Sequence, residues 1–329
     1  MTKTIYSDHI ILSDNLDINA LPANSISRLR INIGSNGLGD PYQIPVIVLR
    51  GKKPGNVLGI TAALHGNELN GLPIIFDIVK KTNLQQLKGT IIAVPVVNID
   101  GYLNNNRFFC GTYDLNRLFP GKHGGTRGQI YAYDIMEKII KHFDYLIDLH
   151  TASFGRSNSL YVRADLTSPI NAKIAYLQNP QIIVHNRGQD GTLRNAASEI
   201  GIHAITIEIG NPLRFQKKLI GFSLNGIRNV LTYLTMLPRP EKPLKGKPVI
   251  CKSSFWMYTK KGGVLEVIPD IVSIIKKGEI IGRLRNMYGD VIEEYICPKD
   301  NAIVIGKNLN PVGDAGSRIV HLGIIGTPS

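Results

Sequence analysis

The chain has 329 residues, of which 43% are hydrophobic and 19% are charged, and this balance is typical of an ordinary folded protein rather than a disordered one. The stretch from Met1 to Asp17 lacks a sustained apolar core, and no run approaches the roughly 20 apolar residues of a membrane-spanning helix. We therefore expect a cytoplasmic protein with no membrane partner. Three widely spaced cysteines, at positions 110, 251 and 297, fit neither a disulfide framework nor a metal knuckle, and we expect them to be reduced.

The formal net charge of +13 fits nucleic acid, an anionic membrane surface or anionic small molecules, and charge alone does not choose among these partners. A local excess of basic residues has no interleaved aromatic residues that could stack bases. It comprises Arg239, Lys242, Lys245, Lys247 and Lys252. We therefore expect a solvated basic surface and no nucleic acid partner. The sequence leaves the oligomeric state open, a homo-oligomer included.

Apolar strand-like runs alternate with helix-period segments from about residue 42 to residue 236, which predicts an α/β fold around a largely parallel or mixed sheet. Strands are predicted at 56–64, 91–97, 145–150 and 204–209, and helices at 69–80 and 129–142. The Gly- and Asn-rich passage 98–128 has little periodicity and is typical of a functional loop. Thr192 is predicted to cap the helix that carries Arg194.

Proline and charge are concentrated between Leu237 and Pro248, as is typical of an interdomain linker. After this segment, short β-rich runs punctuated by glycine predict a small all-β barrel or sandwich. The predicted domains are therefore an α/β catalytic domain at residues 1–240 and a smaller all-β domain at residues 241–329.

An imidazole and a carboxylate stand three residues apart, at His65 and Glu68, on the predicted turn between a strand and a helix. Catalytic zinc commonly has three ligands of the His and Glu type and keeps a fourth position for water. His150, at the end of a short strand, is the best candidate for the third ligand. The alternative for His65 is a helix-capping or core histidine. Polar residues at several strand ends favour the metal, because ligand sites in open α/β sheets gather there.

Other polar residues with chemical potential lie on neighbouring predicted elements. Glu208 lies in an apolar strand, where a buried carboxylate needs a catalytic or cationic partner. We interpret it as a proton-transferring base, and an ion pair that closes the strand is the alternative. Arg107, Asn116, Arg117 and Arg194 are candidates for stabilising an oxyanion or binding a carboxylate. Each arginine taken alone is more often part of a surface or structural ion pair.

Five motifs occur in the order found in the succinylglutamate desuccinylase/aspartoacylase family, which belongs with the zinc carboxypeptidases, and the chain resembles that family over roughly residues 40–236. The motifs are His65-Gly-Asn-Glu68, Asn98-Ile-Asp-Gly101, Asp114-Leu-Asn-Arg-Leu-Phe-Pro-Gly121, Asp148-Leu-His150-Thr and Thr206-Ile-Glu208-Ile-Gly. The combination is specific, although each motif by itself is not.

The resemblance implies a carboxypeptidase-like mixed sheet flanked by helices and one zinc ion per chain. It implies three zinc ligands, His65, Glu68 and His150, and it implies Glu208 as general base and acid. It further implies that Arg107 stabilises an oxyanion, that Asn116 and Arg117 grip a substrate carboxylate, and that Arg194 is a further carboxylate-binding residue.

The C-terminal region resembles the biotinyl/lipoyl-type β-barrel that is appended to some members of the family. It lacks the Met-Lys-Met or Asp-Lys-Val sequence of carrier domains, and Lys307 reads as an ordinary surface lysine. We therefore expect no covalent cofactor there, and a structural or access-restricting cap instead.

The leading hypothesis is zinc-dependent hydrolysis of the amide bond in a small, anionic N-acyl amino acid or related compound. One alternative is a zinc carboxypeptidase that trims peptides, which would require an open cleft. The other is a nucleic-acid-binding protein in which the metal is structural, and salt-sensitive binding without hydrolysis would favour it.

Overall fold

The computed structural model describes residues 10–188, 191–238 and 246–328. The predicted boundary at residue 240, and Arg239, Lys242 and Lys245 of the basic segment, lie outside these ranges. Of the described residues, no helix is both long and apolar enough to span a membrane.

Six α-helices are present in the described ranges. They are α1 (Gly71–Lys81), α2 (Ile99–Leu103), α3 (Arg127–Lys138), α4 (Pro169–Leu177), α5 (Leu193–Glu199) and α6 (Lys217–Tyr233). Short 3-10 helices follow at Leu115–Arg117 and Ile140–His142. The predicted cap of α5 is confirmed, because the Thr192 side chain accepts a hydrogen bond from the Asn195 N–H.

The strands of the α/β region all belong to one large mixed sheet. They are β1 (Ile10–Ser13), β2 (Ser25–Ile33), β3 (Tyr42–Arg50), β4 (Lys53–Ala62), β5 (Lys88–Val94), β6 (Tyr145–His150), β7 (Arg156–Asn158), β8 (Leu160–Ala164), β9 (Ile182–His185) and β10 (His203–Ile209). At the centre of the sheet, β5, β4, β6 and β10 are parallel neighbours in that order. The predicted mixed sheet flanked by helices is therefore confirmed.

Side chains that alternate along the strands fill two separate cores, one on each face of the sheet. On β5, Ile91 and Ala93 pack into the core with α1, α4 and α6, whereas Ile92 and Val94 pack into the core with α3 and α5. Burial on both faces explains why the central strands read as continuous apolar runs in the sequence.

The described part of the chain after residue 246 contains eight β-strands and no helix. They are β11 (Val249–Tyr258), β12 (Gly263–Val267), β13 (Ile274–Ile275), β14 (Ile280–Arg285), β15 (Val291–Ile296), β16 (Ala302–Asn308), β17 (Val312–Gly313) and β18 (Arg318–Ile325). Strands β12, β14, β15 and β17 form a separate antiparallel sheet. An all-β C-terminal region is thus present, and its classification as a biotinyl/lipoyl-like barrel stays a prediction.

The remaining C-terminal strands extend the large sheet instead of standing apart from it. Strand β11 pairs in parallel with β9, and β16 pairs with β7, which places Asn308 opposite Arg156. This pairing brings C-terminal side chains beside the carboxyl ends of the central strands.

Lys307 of β16 is half-buried and makes two hydrogen bonds through its Nζ. It donates to the Pro269 carbonyl at 2.9 Å and to Asp270 Oδ1 at 3.1 Å, so its side chain is held in place at the surface.

Candidate active site

The carboxyl ends of three parallel strands deliver the candidate metal ligands and the candidate base. His65 and Glu68 lie on the turn between β4 and α1, His150 is the last residue of β6, and Glu208 lies opposite His150 in the register of β10. The strand ends at Ala62, and Ala63 takes a left-handed φ of 48°, which turns the chain out of the sheet.

A glycine contact fixes that turn against the loop that follows β5. A Cβ at Gly66 would lie 1.9 Å from the backbone carbon of Gly101, so the two segments can approach only because position 66 has no side chain. Asn98 accepts a hydrogen bond from the Gly101 N–H at 2.8 Å and donates one to the Arg107 carbonyl at 3.2 Å. The motifs His65–Glu68 and Asn98–Gly101 therefore pack against each other, and together they position Arg107.

His65, Glu68 and His150 converge on one point, as the sequence predicts. Their ligand atoms all lie within 4.8 Å of one another. Glu68 Oε1 is 2.9 Å from His65 Nδ1, and Glu68 Oε2 is 2.9 Å from His150 Nδ1. All three residues are buried, with at most 4% of each exposed.

Each imidazole is oriented by a second carboxylate on its other nitrogen. His150 Nε2 donates to Asp148 Oδ2 at 2.8 Å, and His65 Nε2 donates to Asp114 Oδ1 at 3.2 Å, because an ionised carboxylate can only accept. Asp148 reaches His150 because residues two apart on a strand share a face. Both Nδ1 atoms are thereby left for a common ligand. The set of two imidazoles and one carboxylate, each imidazole backed by an acidic partner, fits a divalent metal ion such as zinc.

Ionisation of the ligand set follows from these contacts. Burial alone would raise the pKa of Glu68, but the charges and hydrogen bonds of His65 and His150 hold that pKa well below its ordinary value. Burial would lower the pKa of His150, but Asp148 and Glu68 raise that pKa well above its ordinary value. Glu68 is therefore ionised at neutral pH, as a metal ligand must be.

Glu208 lies beside this centre with the opposite pKa shift. Burial raises the pKa of Glu208, and the negative charge of Glu68 raises it further. The Asn158 side-chain amide donates to Glu208 Oε2 at 3.1 Å and fixes the carboxylate. A carboxyl group with a raised pKa that faces a common cavity is suited to accept and return a proton near neutral pH.

Arg107 is half-buried and bridges the ligand set to Asp114. Its Nη1 donates to Ser153 Oγ at 2.9 Å and lies 3.3 Å from Glu68 Oε1, while its Nη2 donates to Asp114 Oδ2 at 2.9 Å. The guanidinium is thus held within reach of a group bound at the candidate metal centre.

The predicted carboxylate-binding residues are brought together by the start of α5. Asn116 Oδ1 accepts from the Leu193 N–H at 2.9 Å, which leaves the Nδ2 donor for a ligand. Arg117 is exposed, and its Nη1 donates to the Asn116 carbonyl at 2.7 Å. Arg194 is buried, and its guanidinium donates to the carbonyl and the side-chain oxygen of Asn186.

One cavity of about 420 Å³ unites all eight residues that the sequence predicts for the site. It is also lined by side chains that the sequence analysis did not assign. Among them are Asp114, Phe154, Arg156, Asn158, Arg163, Trp256 and Arg318. A charged residue inside an apolar strand could have drawn attention to Asp148, but nothing local marks Trp256 or Arg318, which reach the cavity through long-range strand pairing.

Comparison with known proteins agrees with this geometry. Residues 54–234 match the succinylglutamate desuccinylase/aspartoacylase catalytic domain. The chain belongs to this family. Its members are deacylases, so the chain is a hydrolase of the deacylating type.

Relatives of this family share most of the chain's length. The N-alpha-acetyl-L-2,4-diaminobutyric acid deacetylase of Halomonas elongata is 22% identical over 275 residues, which cover 79% of this chain and 80% of the relative. The product-bound structure of the ectoine utilization protein EutE (DoeB) from Ruegeria pomeroyi has a TM-score of 0.81 at 20% identity and covers 93% of this chain and 98% of that one.

A succinylglutamate desuccinylase/aspartoacylase structure from Rhodobacter sphaeroides has a TM-score of 0.82 at 17% identity and covers 95% of this chain and 99% of that one. Because such coverage extends beyond residue 234, the shared fold includes most of the C-terminal β region as well as the catalytic domain.

Proposed function

We propose that the protein is a zinc-dependent deacylase that hydrolyses the amide bond of a small, anionic N-acyl amino acid or related compound. The observation that carries the proposal is the convergence of His65, Glu68 and His150, each imidazole backed by a carboxylate, beside a glutamate whose pKa is raised. Family membership supports the same reaction class, and the relative from Halomonas elongata is named for removing an acetyl group from a diamino acid.

His65 Nδ1, His150 Nδ1 and Glu68 would hold the metal ion. A zinc ion bound by such residues polarises an acyl carbonyl and lowers the pKa of water to about 7. Glu208 takes the proton of the attacking water on its carboxylate and returns it to the leaving amine nitrogen. Asn158 keeps that carboxylate in place between the two transfers.

Arginines and an amide supply the remaining interactions. Arg107 stabilises the negative charge that develops on the acyl oxygen, since its guanidinium is fixed by Asp114 and Ser153 before substrate binds. Asn116 Nδ2 and Arg117 bind the carboxylate of the amino acid part, and Arg194 adds positive charge on the same side of the cavity.

The size of the cavity favours small substrates over peptides. Trp256 and Arg318 of the C-terminal strands form part of its wall, and the cavity of about 420 Å³ lies within the range of small-molecule sites. A carboxypeptidase acting on long peptides needs an open cleft, so we place this activity second. A nucleic-acid-binding role has no feature of the cavity in its favour.

The test combines metal analysis with a substrate screen. Purified protein should contain about one zinc per chain and should hydrolyse one or more acetyl, succinyl or formyl amino acids. Chelation should abolish the activity, and added zinc should restore it. Protein that contains zinc but hydrolyses only longer peptides would replace the proposal with the carboxypeptidase alternative.

A further inference from the structure

A buried arginine in the cavity wall has donors that none of the described residues satisfies. Arg156 is only 8% exposed and its Nε donates to the Ser153 carbonyl at 2.6 Å. Among the described residues, no acceptor lies within hydrogen-bonding distance of its Nη1 or Nη2, and no carboxylate forms an ion pair with it. A buried guanidinium without an anionic partner is costly, so its Nη groups are suited to a ligand that supplies one.

Aromatic rings hold this guanidinium in a fixed orientation. Its central carbon lies 5.6 Å from the centre of the Phe154 ring and 5.5 Å from that of Trp256. Trp256 is itself fixed by the buried His321, whose ring stacks on it at 4.9 Å with planes 9° apart. These ring contacts and the hydrogen bond to the Ser153 carbonyl restrict the donors of Arg156 before a ligand arrives.

A second cation from the C-terminal strands joins Arg156 on the same aromatic residue. The Arg318 guanidinium carbon lies 5.0 Å from the centre of the Trp256 ring, and no carboxylate of the described residues pairs with Arg318. Burial together with the charges of Arg318 and Arg107 lowers the pKa of Arg156 to about 10, so Arg156 remains charged at neutral pH. Two cations and one aromatic ring thus form one surface of the cavity.

This surface differs from the one that holds the substrate carboxylate in the proposed function. Asn116, Arg117 and Arg194 are connected through the start of α5, whereas Arg156 lies on β7 and the other members of this surface lie on β11 and β18. Resting on the proposed function, we propose that Arg156, Trp256 and Arg318 form a second anion-binding subsite, which selects substrates bearing a carboxylate additional to the one bound by Arg117.

Two pairs of matched substrates locate the second charge. Comparing kcat/KM for N-succinyl-L-alanine and its terminal amide, N-succinamoyl-L-alanine, tests for recognition of a charge on the acyl part. Comparing kcat/KM for N-acetyl-L-glutamate and N-acetyl-L-glutamine tests for recognition of a charge on the amino acid part. In at least one pair, the wild-type enzyme should have a kcat/KM about tenfold or more in favour of the charged member, since a hydrogen bond to a charged group contributes roughly that factor or more.

Variants then assign that preference to the subsite. Arg318→Gln, a change at an exposed residue that leaves folding intact, should reduce the charged-to-neutral ratio about tenfold, and Arg156→Gln should reduce it further. Arg318→Lys should keep part of the ratio, because the charge remains but the planar fork is lost. Arg285→Gln is the matched control, since Arg285 belongs to the separate C-terminal sheet and does not line the cavity.

Binding measurements separate failure of the subsite from failure of the proposed reaction. Glutarate should bind the wild-type protein more tightly than its monoamide in calorimetry, Arg318→Gln should reduce the difference, and Arg156→Gln should reduce it further. If no amide is hydrolysed but this difference is present, the reaction is wrong and the subsite stands. If amides are hydrolysed without preference for charge, or the preference survives in both arginine variants, the subsite does not exist.

Discussion

Replacing Asp148 with asparagine removes the charge behind one imidazole of the candidate metal centre with almost no change in volume. Asp148 is fully buried, and its Oδ2 accepts from His150 Nε2 at 2.8 Å while its Oδ1 accepts from Thr61 Oγ1 at 2.6 Å. An asparagine can satisfy His150 only with its single oxygen, and its amide group must then face the Thr61 hydroxyl, which has to rotate and accept. The His150 imidazole therefore loses a charged partner, and its proton is held less firmly on Nε2.

The magnitude follows from the kind of hydrogen bond that is lost. A hydrogen bond to a charged group contributes about 1.5–3 kcal/mol, against about 1 kcal/mol for a neutral one. The loss is therefore about 0.5–2 kcal/mol, and at about 1.4 kcal/mol per factor of ten Asp148→Asn should weaken zinc binding about 2- to 30-fold. The upper part of this range overlaps the roughly 10- to 100-fold effect that is usual when a residue that orients a metal ligand is changed.

Competition with a chromophoric chelator measures the zinc dissociation constant directly. Asp165→Asn is the matched control, because Asp165 also faces an imidazole, that of His185 at 3.9 Å, but does not line the cavity. Equal zinc affinity in wild type and Asp148→Asn, with the fold intact by circular dichroism, would refute the assignment of His150 as an oriented ligand.

Three further predictions test other parts of the site. Glu208→Gln should retain about one zinc per chain but lose about 10²–10⁴ in kcat, the usual range for a general acid-base group, and an unaltered kcat would remove its role. Arg117→Ala should mainly raise KM while kcat changes little, so steady-state kinetics with an unaltered KM would contradict carboxylate binding at this residue. Burial holds the pKa of His321 well below its ordinary value of 6.5, and nearby arginines lower it further, so only the unfolded state takes up a proton just below pH 6.5. Stability should therefore fall as the pH drops below 6.5, by about 1.4 kcal/mol per unit until the folded-state pKa is reached, and urea unfolding of chelated protein at pH 7.5 and 5.0 should show a smaller loss for His321→Phe.

Sequence periodicity predicts the central elements well because burial dominates them. The strand predicted at 145–150 is β6 itself, and the helix predicted at 69–80 is α1 at Gly71–Lys81. The strand predicted at 91–97 ends earlier, at Val94, because Pro95 has no N–H to donate to a neighbouring strand. It also begins earlier, at Lys88, where pairing with β3 and β4 outweighs the polar character of the residues.

The candidate metal-binding part of the site is predictable from the sequence for a related reason. His65, His150 and Glu208 follow or end apolar strands, and parallel neighbours bring such ends to one edge of the sheet. Of the two carboxylates that orient the imidazoles, Asp148 can be read from the sequence, because residues two apart on a strand share a face. Asp114 cannot, since a sequence does not tell whether it faces the same point as His65. That information lies in the path of the loop 98–128, which has no periodicity to read.

The opposite wall of the site depends on contacts that no local pattern encodes. Trp256 and Arg318 reach the cavity because β16 pairs with β7 and β11 pairs with β9, and strand register over such separations is set by the packing of the whole sheet. A resemblance limited to residues 40–236 therefore covers the reaction chemistry but not this wall.

The candidate metal centre and the wall formed by Trp256 and Arg318 depend on different parts of the fold. The candidate ligands and the candidate base are positioned by the parallel strand ends and by the contact between Gly66 and Gly101, so few substitutions there would preserve their geometry. Trp256 and Arg318 lie on strands that contribute no candidate metal ligand and no proton-transferring group. Their side chains can change while the metal centre keeps its geometry. If Trp256 and Arg318 form the proposed subsite, substitutions on the C-terminal strands would change selectivity for the acyl or amino acid part and leave the hydrolytic residues unchanged.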